Sequence, residues 1–152
     1  MKSLILTAAL SVALTAGGPL VAAAQDASAT LTVRESPEHG QYVADAEGMA
    51  LYMFESDTRG EGDTPAESTC HDDCAEAWPP LIAQEPQGGD QIQADLIGTF
   101  ERRDGEMQVT YGGWPLYYFV RDEEPGDTAG HDVEGFGAEW YLVGPDGEAI
   151  GH

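Results

Sequence analysis

Leu51-Tyr52-Met53-Phe54-Glu55-Ser56-Asp57 returns sixty-five positions later as Leu116-Tyr117-Tyr118-Phe119-Val120-Arg121-Asp122. Both stretches read Leu-Tyr-x-Phe-x-x-Asp, and both run into an acidic loop that reaches Gly-Asp-Thr, at Gly62-Asp63-Thr64 and Gly126-Asp127-Thr128. A tryptophan follows each loop, Trp78 in the first copy and Trp140 in the second. Self-similarity at a fixed spacing signals a repeat architecture. The chain is therefore expected to hold two similar halves packed about a pseudo-two-fold axis.

Strand side chains alternate between faces. Tyr52 and Phe54 share one face, as do Tyr117 and Phe119, whereas the residues between them, Met53 and Tyr118, differ between the copies. Aromatics kept in both copies fit a buried face, where rings contribute large areas and a tyrosine hydroxyl wants a partner. Tyr52, Phe54, Tyr117, Phe119, Trp78 and Trp140 are thus the expected core. From Tyr52 to Asp57 an extended strand spans roughly 16 Å, too far for contact within one copy. Two-fold pairing would instead bring Tyr52 to the loop after Asp122 and Tyr117 to the loop after Asp57.

Working outward, Leu31-Thr32-Val33 opens the ordered part after a small polar leader at 25–29. Residues 41–44 and 49–54 read as strands joined around Asp45-Ala46-Glu47-Gly48. Residues 97–101 and 107–111 flank Arg103-Asp104-Gly105, and Asp-Gly between such runs is a hairpin signal. The second motif strand is expected at 115–120 and a closing strand at 139–143. No stretch sustains helical periodicity. Short strands with Gly, Pro and Asp turns predict an all-β fold, a small sandwich or barrel built from two hairpin-containing repeats with long acidic loops. The expected repeats cover about 41–84 and 107–147, joined by a Pro/Gly connector at 85–90, in one domain over 30–152.

Two Tyr-x4-Asp motifs stand here with Ser68-Thr69-Cys70-x3-Cys74, with Ala77-Trp78-Pro79-Pro80-Leu81, and with Arg103-Asp104-Gly105 leading to Gln108-Val109-Thr110-Tyr111-x-Gly113-x-Pro115-Leu116-Tyr117. Together they resemble the secreted bacterial repeat proteins often called predicted lipoproteins with a Tyr-x-(Phe/Trp/Tyr)-x-x-Asp motif. The resemblance covers nearly the whole chain after residue 24. It implies export and a tandem-repeat domain, and it carries no established activity. The chain departs from the lipoprotein members in lacking a lipid-attachment cysteine, so no lipid anchor is expected.

Lys2, the apolar run Leu4–Leu14 and Ala22-Ala23-Ala24 form the three regions of a secretory signal peptide over 1–24. Cleavage near Ala24 and a periplasmic or secreted product are expected, with no membrane span. Beyond that segment stand all 28 acidic residues against five arginines and no lysine, a formal balance of −23. Such a field repels phosphate backbones and anionic lipid, so nucleic acid is excluded as a partner. It attracts cations and basic proteins. The same charge also keeps an exported protein soluble.

Cys70 and Cys74, the two cysteines, are expected to form a disulfide in an oxidising compartment. On a helical turn, positions i and i+4 lie within bridging range. The competing reading is a periplasmic copper or thiol redox site of Cys70, His71, Cys74 and Met53, since thiolates and imidazole suit a soft metal. Cys-x3-Cys with a distant histidine is similar to copper chaperones of the Sco type, but those use a thioredoxin-like α/β fold and no βαβ pattern is present here. Calcium is the other candidate cation, held by Asp57 and Asp63 with Asp122 and Asp127, although neither loop has a known calcium-loop spacing. There is no nucleophile elbow, phosphate-cradling glycine loop or His-Glu-x-x-His helix, so no catalytic residue is named and no enzyme is expected. The resulting expectation is a non-enzymatic binding or accessory module without a required cofactor.

Overall fold

A computed structural model of the chain describes residues 28–151. The expected signal peptide lies outside them, as do residues 25–27 of the leader. Ser28 and Ala29 are already in β1 (Ser28–Ser36), so order begins earlier than the apolar pattern implies. β1 forms a hairpin with β2 (Gly40–Ala44), in register from Thr32 opposite Ala44 to Ser36 opposite Gly40. On its other side β1 takes β3 (Glu85–Gly88) in parallel, Ser28 opposite Glu85. The expected connector is therefore partly a strand. Pro86 fits there because this strand lies at the edge of its sheet.

The Asp-Gly signal is realised. β4 (Ile97–Glu101) and β5 (Met107–Tyr111) pair from Ile97 opposite Tyr111 to Glu101 opposite Met107, with Gly105 at φ +90° in the turn. A two-residue strand, β6 (Trp114–Pro115), completes that sheet. In the first motif copy, Tyr52–Phe54 form β7, which pairs with β8 (Ala138–Leu142), and β8 turns back as a hairpin onto β9 (Val133–Gly135). Among the described residues, the three three-stranded sheets do not close into a barrel. The all-β fold of two repeats stands, in the form of small packed sheets.

The second motif copy differs from its expected strand at 115–120. Beyond β6 it is held by single bridges, Tyr117 to Tyr52 on one side and Tyr117 to Pro80 on the other. Pro79 and Pro80 have no amide hydrogen to donate, so a full ladder beside them is broken. What remains is Tyr118 N–H to Pro79 O at 2.7 Å, Leu81 N–H to Leu116 O at 2.9 Å and Val120 N–H to Ala77 O at 3.1 Å. The first acidic loop is also more regular than a loop of that composition suggests. It folds back on itself through Thr58 with Glu67 and Glu61 with Thr64, then forms α1 (Asp73–Ala77).

Both faces of the motif are buried, each in its own cluster. Tyr52, Phe54, Tyr117 and Phe119 pack with Tyr42, Trp78, Trp140, Leu142 and the two cysteines. Leu51, Met53 and Leu116 pack with Leu31, Val43, Val109, Tyr111 and Tyr141. A strand buried on both faces reads as a near-continuous apolar run. That is why Leu51-Tyr52-Met53-Phe54 lacks a polar alternate.

Candidate functional site

The two motif copies meet residue on residue at the centre. Tyr52 N–H donates to Tyr117 O at 2.8 Å, and Tyr117 N–H donates to Tyr52 O at 2.9 Å. This reciprocal pair is one step of an antiparallel ladder. The tryptophan segments flank it symmetrically. Leu142, two residues after Trp140, lies opposite Tyr52, and Pro80, two residues after Trp78, bridges to Tyr117. Each repeat therefore pairs its tryptophan strand with the other repeat's motif.

The Phe-x-x-Asp spacing is a turn. Asp57 N–H donates to Phe54 O at 3.0 Å and Asp122 N–H to Phe119 O at 3.1 Å, the i to i+3 bond of a β-turn. Each aspartate thus stands at the root of its acidic loop with its carboxylate turned inward. Asp57 Oδ1 accepts from Thr69 N–H and Oγ1, and Asp122 Oδ1 accepts from Ala129 N–H. The second oxygen of each takes a tyrosine from the opposite repeat. Tyr52 donates to Asp122 Oδ2 at 2.6 Å, and Tyr117 donates to Asp57 Oδ2 at 2.6 Å. The crossed contact expected from two-fold pairing is present in both directions.

All four groups are buried. Loss of water raises both carboxyls above the ordinary aspartate range, against the donors that hold them charged. The same desolvation, with the facing carboxylates, raises both phenols far above the usual tyrosine value. Between the pairs runs a column of four rings: Phe54 on Trp140 at 4.0 Å, Trp140 on Trp78 at 3.9 Å, and Trp78 on Phe119 at 4.0 Å. Tyr52 meets Trp78 edge-on at 5.5 Å and Tyr117 meets Trp140 edge-on at 5.2 Å. Every expected core aromatic is in this column or against it.

The Asp57 end is extended by residues that sequence reasoning missed. Ser68 Oγ lies 2.6 Å from the Tyr117 hydroxyl. Arg102, 3 % exposed, donates to Ser68 Oγ, to Gln108 Oε1 at 2.7 Å and to Cys70 O at 2.7 Å. Its remaining buried nitrogen, Nε, has no hydrogen-bond partner among the described residues and lies 3.7 Å from Asp104. Ser68 and Arg102 line a surface cleft of about 600 Å³ between Pro65–Thr69 and Phe100–Arg103. Asp45 was missed too, and it receives the Tyr118 hydroxyl at 2.9 Å. An arginine beside a hairpin turn normally reads as solvated, so Arg102 gave no pattern to find. Ser68 was quoted with the cysteines, but its bond to Tyr117 crosses 49 positions.

The proposed metal sets are not assembled. Cys70 and Cys74 form the expected disulfide, with Cα atoms 5.2 Å apart, so no thiolate is offered to copper. Both ring nitrogens of His71 are engaged, by Ser68 O and by Arg102. Met53 belongs to the other core cluster, because neighbouring strand positions face opposite ways. Nor do the four aspartates gather as one site among the described residues. Asp57 and Asp122 are committed to tyrosines, Asp127 Oδ2 accepts from Glu123 and Glu124 N–H, and Asp63 is exposed at its turn. Among the described residues, no three His, Cys, Asp or Glu side chains gather as a metal site.

Comparison with protein families gives one match, and it falls twice on the chain. The model of a secreted repeat of unknown function covers residues 34–82 and again 98–143. The chain belongs to this family of secreted repeats. No curated protein and no solved structure matches it. The two matched segments of this secreted-repeat protein each hold one motif copy with its tryptophan, the units that pair across the centre. No helix among the described residues is long and apolar enough to cross a membrane.

Proposed function

We propose that this secreted-repeat protein is an exported, non-enzymatic binding module that displays its two acidic loops to a basic partner, a cationic protein segment or a metal cation. The supporting observation is the crossed tethering of the loop roots. Asp57 and Asp122 open the loops from inside the core, each bonded to the opposite repeat, so both loops are mounted on one rigid frame. Beyond the roots, Glu61, Asp63, Glu67, Glu123, Glu124 and Glu134 are exposed. A preorganised display limits the ordering cost of association, and dense like charge raises encounter rates with a cation.

The test is titration with polylysine at low and high salt, beside the variant Glu123→Gln/Glu124→Gln/Glu61→Gln/Asp63→Asn. The expected result is saturable binding that falls steeply with salt and weakens several-fold in the variant, while its melting temperature holds. Equal affinity for the variant overturns the reading. Melting curves with and without millimolar calcium separate the cation arm, since a ligand of the native state raises the midpoint.

A further inference from the structure

The core holds more chemistry than packing requires. Six aromatic side chains of the two motifs and their tryptophans touch one another in sequence. Two of them end in hydroxyls pointed at buried carboxylates. A buried carboxylate is costly, and an apolar pair at those positions would fill the space without that cost. The geometry instead provides a proton acceptor within 2.6 Å of each motif phenol.

We propose that the aromatic column and its tyrosine–aspartate pairs form a proton-coupled one-electron relay that settles an oxidising equivalent on Tyr52. The oxidant is a diffusible one-electron oxidant of high potential, such as a ferryl haem or a radical formed from peroxide. It removes one electron from the column. The Tyr52 O–H bond breaks, an O–H bond forms on Asp122 Oδ2, and the electron leaves through the rings to the oxidant. A neutral tyrosyl radical then faces a neutral carboxylic acid, and the oxidant is reduced by one electron. The step removes the negative charge buried at that pair, so the environment that disfavours the carboxylate favours the oxidised state.

The path is continuous. Tyr52 lies edge-on to Trp78 at 5.5 Å, and Trp78 stacks on Phe119 at 4.0 Å. Phe119 is the most exposed ring of the column, and the exposed Val120 follows it. The two ends differ. Asp57 accepts from Thr69 N–H and Oγ1 and feels the charge of Arg102, all of which hold it ionised. Asp122 has Ala129 N–H as its other donor and lies near the like charge of Asp127. Beside its tyrosine, Asp122 accepts one donor where Asp57 accepts two, so its carboxylate is the less committed acceptor and Tyr52 is the site assigned the hole. The inference rests on the core and is independent of what the acidic loops bind.

The test uses the intact, disulfide-bonded chain and flash-generated tris(bipyridyl)ruthenium(III), followed by transient absorbance and electron paramagnetic resonance. The expected signal is a neutral tyrosyl radical whose formation is independent of buffer-base concentration and slows in heavy water. Tyr52→Phe lowers its amplitude about ten-fold, and Tyr117→Phe leaves most of it. A tyrosyl signal undiminished in Tyr52→Phe overturns the relay. So does formation that speeds up with buffer concentration in the unaltered protein, a measurement that needs no variant to fold.

Discussion

At the residue scale, each motif tyrosine is the donor that keeps a buried aspartate in place. Removing the hydroxyl leaves a charged acceptor short of one bond, at a cost of about 1–3 kcal/mol. Tyr52→Phe is expected to destabilise more than Tyr117→Phe. Asp122 then keeps only the Ala129 donor, whereas Asp57 keeps both Thr69 donors. Urea midpoints of the two variants measure the difference, and a smaller loss for Tyr52→Phe counts against the assignment. The pH dependence has a definite sign. Burial raises the folded-state pKa of Asp122 above its unfolded value, so the folded protein binds that proton more tightly. Its contribution to stability is fully present below about pH 3.9, the ordinary aspartate value, and is lost as pH rises through the folded pKa. Wild type is therefore expected to gain on Asp122→Asn as pH falls from 7 towards the ordinary aspartate value in paired urea melts. Gly130 is a tighter case. A Cβ there would sit 2.8 Å from ring atoms of both Tyr52 and Trp78. Neither buried ring can move away cheaply, so Gly130→Ala is expected to cost about 1–3 kcal/mol by overpacking.

At the scale of elements, the motif's local form was legible and its partners were not. Period-two alternation placed Tyr52 and Phe54 on one face, and the Asp104-Gly105 turn joins the strands that the apolar runs indicated. The pattern assigned no environment to the opposite face, where Leu51 and Met53 fill a second core cluster. Alternation shows which residues share a face without showing what covers the other one. The parallel strand Glu85–Gly88 was read as connector because its order comes from pairing with Ser28–Leu31, more than fifty residues away. Arg102 stayed hidden for the same reason, since its acceptors Ser68 and Cys70 lie over thirty positions upstream. The disulfide was legible because its loop is short and local. That shortness also bounds its effect. Closing so few residues stabilises by about 2 kcal/mol in the chain-entropy model. Mild reduction is thus expected to lower the urea midpoint while leaving the far-ultraviolet spectrum native. Loss of the whole fold on reduction would show that Cys70 and Cys74 hold more than their loop.

At the scale of the whole molecule, the two repeats are expected to fold as one unit, because what each lacks is supplied by the other. The phenylalanine of each copy stacks on the other copy's tryptophan, Phe54 on Trp140 and Phe119 on Trp78. The hydroxyl of each tyrosine goes to the other copy's aspartate, and each tryptophan strand bonds to the other copy's motif. A half chain would expose its ring stack and leave its loop root untied. Independent halves would give two transitions, each moved by mutations in its own repeat. Exchanged halves give one transition that either repeat can move. Phe54→Ala empties a fully buried site and is expected to cost about 3–5 kcal/mol, with Phe119→Ala, at 9 % exposure, somewhat less. Both should shift the same single denaturation curve. Tryptophan fluorescence, to which the central Trp78–Trp140 pair contributes together with Trp114, should coincide with far-ultraviolet circular dichroism at every denaturant concentration. If Phe54→Ala splits the curve and leaves a half that melts at the unaltered midpoint, the repeats are separable domains. Coincident curves for both variants would mean that duplication here built one core from two incomplete ones.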